Sequence, residues 1–303
     1  MRSPSPPLPM EWVHEPRATA RTDAPPSCAS GSQPRGAPVS LVLQVSDTHF
    51  GTERPPVLEA LVALAQQLRP SLAVLSGDIT QRARPGQFRA ARAFMERLGA
   101  PLLAIPGNHD IPLLDLWTRL RRPYARHLAA FGPVLEPVHD APELLVLGLN
   151  TTRPWRHKHG AVSALQIERV AQRLEAAGAA QLRVVVVHQP VAVIRASDRV
   201  NLLRGHTAAL ARWAAAGADL VLGGHIHLPY VLALPGLARP LWAVQAGTAV
   251  SARVREGLPN SVNLLRWGAH APAGCCLIEQ WDYAAGQQAF VRALVTEVRP
   301  ARG

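Results

Sequence analysis

A chain of 303 residues at 48% hydrophobic content is long enough to bury a sizeable core, and it contains no 18-residue uncharged apolar run that would cross a bilayer. The formal charge of +11 raises nucleic acid as a partner, but Lys158 is the only lysine, the arginines are scattered and no dense basic block forms, so the charge reads as a solvated surface that favours a phosphate-bearing substrate. Three cysteines, two of them the neighbours Cys275 and Cys276, build no disulfide framework and suit a reducing, cytoplasmic setting.

Residues 1–38, including Cys28, are rich in Pro, Ser and Arg, lack the apolar stretch of a secretion signal, and read as a disordered tail in which Met10 is an alternative start. Residues 39–303 read as one domain. Apolar strands are predicted over 41–45, 72–75, 102–105, 144–149, 184–187 and 220–222. Helices are predicted over 56–68, 87–98 (ended by Gly99), from the Ser163/Gln166 capping pattern to about 177, and over 207–215. After His227 the alternation stops, and 230–234, 241–246, 261–265, 276–283 and 290–298 all read as strands. Alternating elements followed by a run of strands predict an α/β arrangement of packed sheets with helices outside.

Five of the strand ends carry polar groups suited to metal binding. Asp47-Thr48-His49, Gly77-Asp78, Gly107-Asn108-His109-Asp110, His188 and Gly224-His225-Ile226-His227 each follow an apolar run. In Asp-x-His and His-x-His an extended chain would point both ligands to one side, because strand side chains repeat every two residues. All the donors are oxygen or nitrogen, which favours Mn, Fe, Zn or Co over copper(I) or iron–sulfur. Each piece is common by chance; the ordered set of five is not.

This ordered set resembles the calcineurin-like metallophosphoesterases, over roughly residues 41–265, in a style similar to bacterial class III cyclic-nucleotide phosphodiesterases. The resemblance implies a four-layer αββα sandwich and two metal ions. It implies that Asp47, His49 and His227 bind the first ion, that Asp78 bridges, and that Asn108, His188 and His225 complete the second site. It assigns catalysis to His109 and Asp110, with His109 facing the substrate phosphate. The reaction it implies is in-line attack of a metal-bound hydroxide on a small phosphodiester, such as a cyclic nucleotide like cAMP or a glycerophosphodiester. One position departs from the pattern. Many relatives read Gly-Asp-x-x-Asp, with the second Asp orienting the catalytic His, and here that residue is Gln81.

Arg153, in the loop after strand 144–149, is a candidate to grip the phosphate. Trp155, His157 and His159 read as loop packing. His127, His139, His206 and His270 read as surface or structural. The loop from Thr248 to Asn263 resembles segments of the phosphodiesterase-like members without an assigned role. Four other readings stand beside the phosphodiesterase: a DNA-end nuclease, a pyrophosphatase acting on nucleotide-sugar lipids, a phosphomonoesterase and a metal-free scaffold. The chain shows no arm or cap of a nuclease, no clear membrane-facing insertion, and no missing ligand position of the kind a scaffold would show.

Overall fold

The computed structural model describes residues 39–269 and 271–302. The expected tail with Cys28 and Met10, and also His270, lie outside them. The first sheet begins with β1 (Val39–Val45), α1 (Pro55–Leu68), β2 (Leu72–Ser76), α2 (Pro85–Arg97) and β3 (Leu102–Ile105). Two short helices, α3 (Leu116–Arg121) and α4 (Ala125–Phe131), lead to the second sheet. There β4 (Val138–Ala141), β5 (Leu144–Gly148), α5 (Ala164–Glu175), β6 (Leu182–Val186), α6 (His206–Ala215) and β7 (Leu220–Gly223) follow, then β8 (Tyr230–Ala233) and β9 (Trp242–Gln245). The chain returns to the first sheet through β10 (Ser261–Gly268), β11 (Cys276–Ala284) and β12 (Ala289–Val298).

Each sheet has six strands, in the orders β12-β11-β10-β1-β2-β3 and β4-β5-β6-β7-β9-β8. Strands joined through helices pair in parallel, whereas β10, β11 and β12 pair antiparallel. The period-2 pattern explains the layering. Leu41, Leu43 and Val45 pack with α1 and α2, while Val42 between them joins the apolar cluster shared by both sheets. On β6, Val185 packs towards α5 and α6, while Leu182, Val184 and Val186 face the other sheet. The result is the expected αββα sandwich. Both faces of its central strands are covered, which is why they read as continuous apolar runs.

A polar clasp ties the sheets together near the strand ends. Gln44 of β1 donates to the Gly223 carbonyl of β7 at 3.0 Å, and Asn263 of β10 donates to Gln44 Oε1 at 3.0 Å and to the Gln245 carbonyl of β9 at 3.1 Å. All three side chains are buried, and each is bonded, so the clasp avoids the cost of an unpaired polar group. The predicted capping box at α5 also forms: Gln166 N donates to Ser163 Oγ at 3.2 Å and Ser163 N to Gln166 Oε1 at 3.1 Å.

Periodicity did not reveal α3, α4 or β4. Leu116, Trp117 and Leu120 of α3 remain exposed, so no buried apolar stripe marks that helix. Among the described residues no helix is long and apolar enough to cross a membrane.

Candidate metal centre

The loops leaving β1, β2, β3, β6 and β7 meet at the carboxyl ends of their strands, the usual site in open α/β sheets. They bring together Asp47, His49, Asp78, Asn108, His109, His188, His225 and His227. The expected reason for that convergence is corrected by the backbone. Asp47 (φ 51°), His49 (φ 41°), His225 (φ 74°) and His227 (φ 55°) are left-handed rather than extended, as is Asp78 (φ 48°). Asp-x-His and His-x-His therefore act as tight turns beyond the strand ends, not as one face of a strand. A left-handed non-glycine residue costs about 1–3 kcal/mol and persists only where its surroundings hold it. Five together mark a place where side-chain direction outweighs local comfort.

The first cluster consists of Asp47, His49 and His227. His49 Nε2 lies 3.1 Å from His227 Nε2, and Asp47 Oδ1 lies 3.2 Å from His227 Nε2 and 3.8 Å from His49 Nε2. Neighbouring donors around an ion bonded at about 2.0–2.2 Å are separated by about 3.0–3.6 Å, close to this spacing. His227 Nδ1 donates to the Arg253 carbonyl at 2.6 Å, which leaves Nε2 for the site. Asp47 is oriented by Ser46 Oγ at 2.6 Å and by the His225 backbone N–H at 3.0 Å. A side chain at Gly224 would strike Ser46 Oγ and Asp47 Oδ2, so only glycine permits that approach.

The second cluster consists of Asp78, His188 and His225, and Asn108 stands between Gly107 and His109, both of which abut Asp78. His188 Nδ1 donates to the Ser76 carbonyl at 2.9 Å, turning Nε2 to within 3.2 Å of Asp78 Oδ1. Asn108 Oδ1, His188 Nε2 and His225 Nδ1 are buried and have no hydrogen-bond partner. Buried polar atoms without a hydrogen-bond partner are costly, and a cation here, taking the place of a proton on His188, would complete them. Both clusters therefore fit metal ions, and Asp78 also lies 3.9 Å from His49, between them.

The electrostatics agree. Burial pushes the Asp47 carboxyl up, but His227 outweighs it and holds the group at about 2. Burial likewise opposes ionisation of Asp78, yet His188 and His109 hold it well below the usual range. Burial lowers His49 to about 3 and His225 to about 4. For His188, burial is overcome by Asp78, which raises it to about 9; His227 is raised by Asp47 in the same way. Two ionised carboxylates thus gather two protons, the charge that cations would otherwise supply.

Not every candidate residue joins this set. Asp110 is buried, and its carboxylate accepts from Gly107 N (2.8 Å), Ile79 N (3.0 Å), Thr80 N (2.8 Å) and Thr80 Oγ1 (2.9 Å). Both oxygens are thus committed to tying the β2 and β3 loops together. Arg153 is spent on the carbonyls of Asn150 (3.2 Å) and Thr152 (2.8 Å) and on Gln166 Oε1 (2.8 Å). It lines a separate cavity of about 720 Å³ with Tyr124 and Trp155, so its expected grip on the substrate has no support in its position. Trp155 is 76% exposed and His157 is exposed too, so this loop is not packed as expected; the His157 ring lies 6.5 Å from that of His109.

His109 N donates to Asp78 Oδ1 at 2.8 Å, and His109 Nδ1 lies 3.1 Å from the Gln81 carbonyl, an acceptor, so Nδ1 carries the proton. His109 Nε2 lies 3.3 Å from Arg253 Nη1. Arg253 was not singled out from the sequence. The signal available was its place in the Gly- and Pro-containing loop after a strand that ends beside the others.

Residues 40–229 match the family described as calcineurin-like phosphoesterase. A probable cyclic nucleotide phosphodiesterase of Synechococcus is 27% identical over 201 residues, 63% of this chain and 74% of that protein. A cAMP/cGMP dual specificity phosphodiesterase of Mycobacterium tuberculosis is 30% identical over 207 residues, 63% of this chain and 62% of that protein. Among solved structures, a dimetal phosphatase from Danio rerio superposes with a TM-score of 0.62 at 13% identity, covering 87% of this chain and 100% of that one. A purple acid phosphatase from yellow lupin superposes at 0.61 and 14% identity, covering 88% and 55%. These two likenesses speak to the fold alone.

Proposed function

The chain belongs to the calcineurin-like phosphoesterases, metal-dependent hydrolases of phosphoric esters, and from that premise we propose that it hydrolyses a small phosphodiester at a two-metal centre. Asp47, His49 and His227 would hold one ion and Asn108, His188 and His225 the other, with Asp78 between the two sets. The buried, unpartnered side-chain atoms of Asn108, His188 and His225 carry this reading. The relatives named as phosphodiesterases support a diester, with a cyclic nucleotide or a glycerophosphodiester as the natural candidates. The donor set of oxygen and nitrogen suits Mn, Fe, Zn or Co.

When bound, two such ions supply a nucleophile at neutral pH and offset the charge that develops on the phosphoryl oxygens. The protein's own groups do the rest. His188 and His227 are locked by backbone carbonyls with Nε2 facing inward, so little reorganisation is needed on binding. His109 is fixed at both its backbone and its ring, and its Nε2 faces the substrate side. Asp110 keeps the Asp78 and Asn108 loops in register.

The test is hydrolysis of bis(p-nitrophenyl) phosphate against p-nitrophenyl phosphate by the manganese-loaded protein. A higher kcat/KM for the diester is expected. Preference for the monoester would overturn the substrate class. A protein that holds no stoichiometric metal and turns over neither ester would overturn the enzymatic reading itself.

A further inference from the structure

The loop between β9 and β10 carries Arg253 into the centre. Its Nη1 lies 3.0 Å from Gln81 Oε1, 3.3 Å from His109 Nε2 and 3.5 Å from His49 Nδ1. Gln81 Oε1 accepts from it, His109 Nε2 lies opposite the ring's Nδ1–H and is placed to accept, and none of the three is a carboxylate. No carboxylate among the described residues forms an ion pair with Arg253, whereas Arg255, two residues on, pairs with Asp198 at 3.0 Å. Among the described residues the Arg253 side chain makes its contacts through Nη1, which leaves the Nε–Nη2 edge of the fork without a partner there.

We propose that Arg253 is a phosphate-binding residue of this centre, presenting its guanidinium to a phosphoryl oxygen of the bound ester, and that Gln81 keeps its charge free. The inference rests on the phosphoric-ester reading of the site given above. A half-buried guanidinium beside a place built for two cations is repelled by them unless an anion lies between. Phosphate is the anion whose geometry suits an open Arg edge.

The side chain is also held ready. The Arg253 carbonyl accepts from His227 Nδ1 at 2.6 Å and from Thr248 Oγ1 at 3.1 Å, and Arg253 N donates to Ser251 Oγ at 3.1 Å. Ala252 N donates to the Thr52 carbonyl at 2.8 Å, and Arg255 anchors the next turn on Asp198. A donor fixed before the ligand arrives loses little entropy on binding it. The residue at position 81 completes the argument. A glutamate there, equal in length to glutamine, would bring a carboxylate to hydrogen-bond distance from Nη1 and neutralise it. Glutamine offers the same acceptor oxygen with no charge, so it orients Arg253 without quenching it.

The experiment measures binding of inorganic phosphate to the full-length, manganese-loaded protein by calorimetry, with metal content and the KM and kcat for bis(p-nitrophenyl) phosphate alongside. Arg253→Gln is expected to weaken phosphate about 10–100-fold, the worth of a charge-assisted hydrogen bond, and to raise KM, with metal content unchanged. Arg253→Lys should recover part of the affinity. Gln81→Glu should weaken phosphate as well, by pairing with Arg253 while leaving it in place, an effect that a merely structural role for the arginine would not produce. Phosphate affinity within threefold of the unaltered protein in Arg253→Gln would overturn the proposal, and so would loss of metal in that variant. Unchanged affinity in Gln81→Glu would show that position 81 does not govern the charge of Arg253 and would overturn that part of the proposal. Phosphate binding that depends on Arg253 in a protein that cleaves no diester would instead refute the substrate reading and leave this assignment standing.

Discussion

Gly107→Ala isolates the packing that sets Asp78. Gly107 has φ −100° and ψ −179°, extended backbone open to any residue, so alanine adds no conformational strain. Its Cβ, however, would fall 2.0 Å from Asp78 N and 2.3 Å from Asp78 Oδ1. Ordinary contact begins near 3.4 Å, so the β2 and β3 loops must part by about 1 Å. Asp78 stands in both the His188–His225 cluster and a cluster with His49 and His109, so this displacement acts on both halves of the centre. The overpacking should cost about 1–3 kcal/mol of stability. Displacing a group that orients or bridges ligands should weaken metal binding about 10–100-fold. A 1 Å misplacement of reacting groups should lower kcat/KM by about 10². The assay is competitive metal titration against a chromophoric chelator, with thermal unfolding and diester turnover measured on the same samples. Gly86→Ala is the control, since its Cβ would meet only Arg89 Nη2 at 3.8 Å. Two ions bound within threefold of the unaltered affinity in Gly107→Ala would refute the reasoning, because Asp78 would then have no critical position.

Three further outcomes are expected. His109→Ala should retain both metal ions, by elemental analysis, and lose most turnover, since general acid–base groups contribute about 10²–10⁴-fold; metal loss would make His109 a ligand instead. Asp110→Ala strips the acceptor from three buried backbone N–H groups and should cost about 3–5 kcal/mol in urea unfolding, with Asp110→Asn closer to the original; a change under 1 kcal/mol would contradict the positioning role. His127 is buried between Phe88 and Phe131, neither ring nitrogen has a partner, and burial lowers it to about 4. Its neutral ring contributes fully above pH 6.5, and that contribution is lost as pH falls towards 4, because the unfolded chain takes up the proton first. The span is worth about 3 kcal/mol, so His127→Leu should be less acid-sensitive by that amount between pH 7 and 4; parallel stability–pH curves for the two proteins would count against it.

Much of this architecture was legible in the chain itself. Runs such as 41–45 and 184–187 are strands because β-branched and leucine side chains fill both faces of a covered sheet, and that pattern needs no tertiary information. The candidate ligands were legible for a related reason: polar residues placed directly after buried strands have no other use for their donors. The sequence could not say how those ligands turn inward. Asp47, His49, Asp78, His225 and His227 are left-handed, a state that local preference disfavours and that only the packed loops and their hydrogen bonds sustain. Nor could it separate Asp110 from His109, neighbours of which one is consumed by backbone donors and the other left facing the site. The surroundings of Arg153 and Arg253 were hidden for the same reason. An arginine's reach makes its target a matter of which acceptors the fold places nearby, and the fold gives Arg153 two carbonyls and an amide but brings Arg253 to His109 and Gln81. Composition and period thus determined the layers and the donor types, while only tertiary packing, which joins residues some 170 positions apart, decided where each side chain spends its charge.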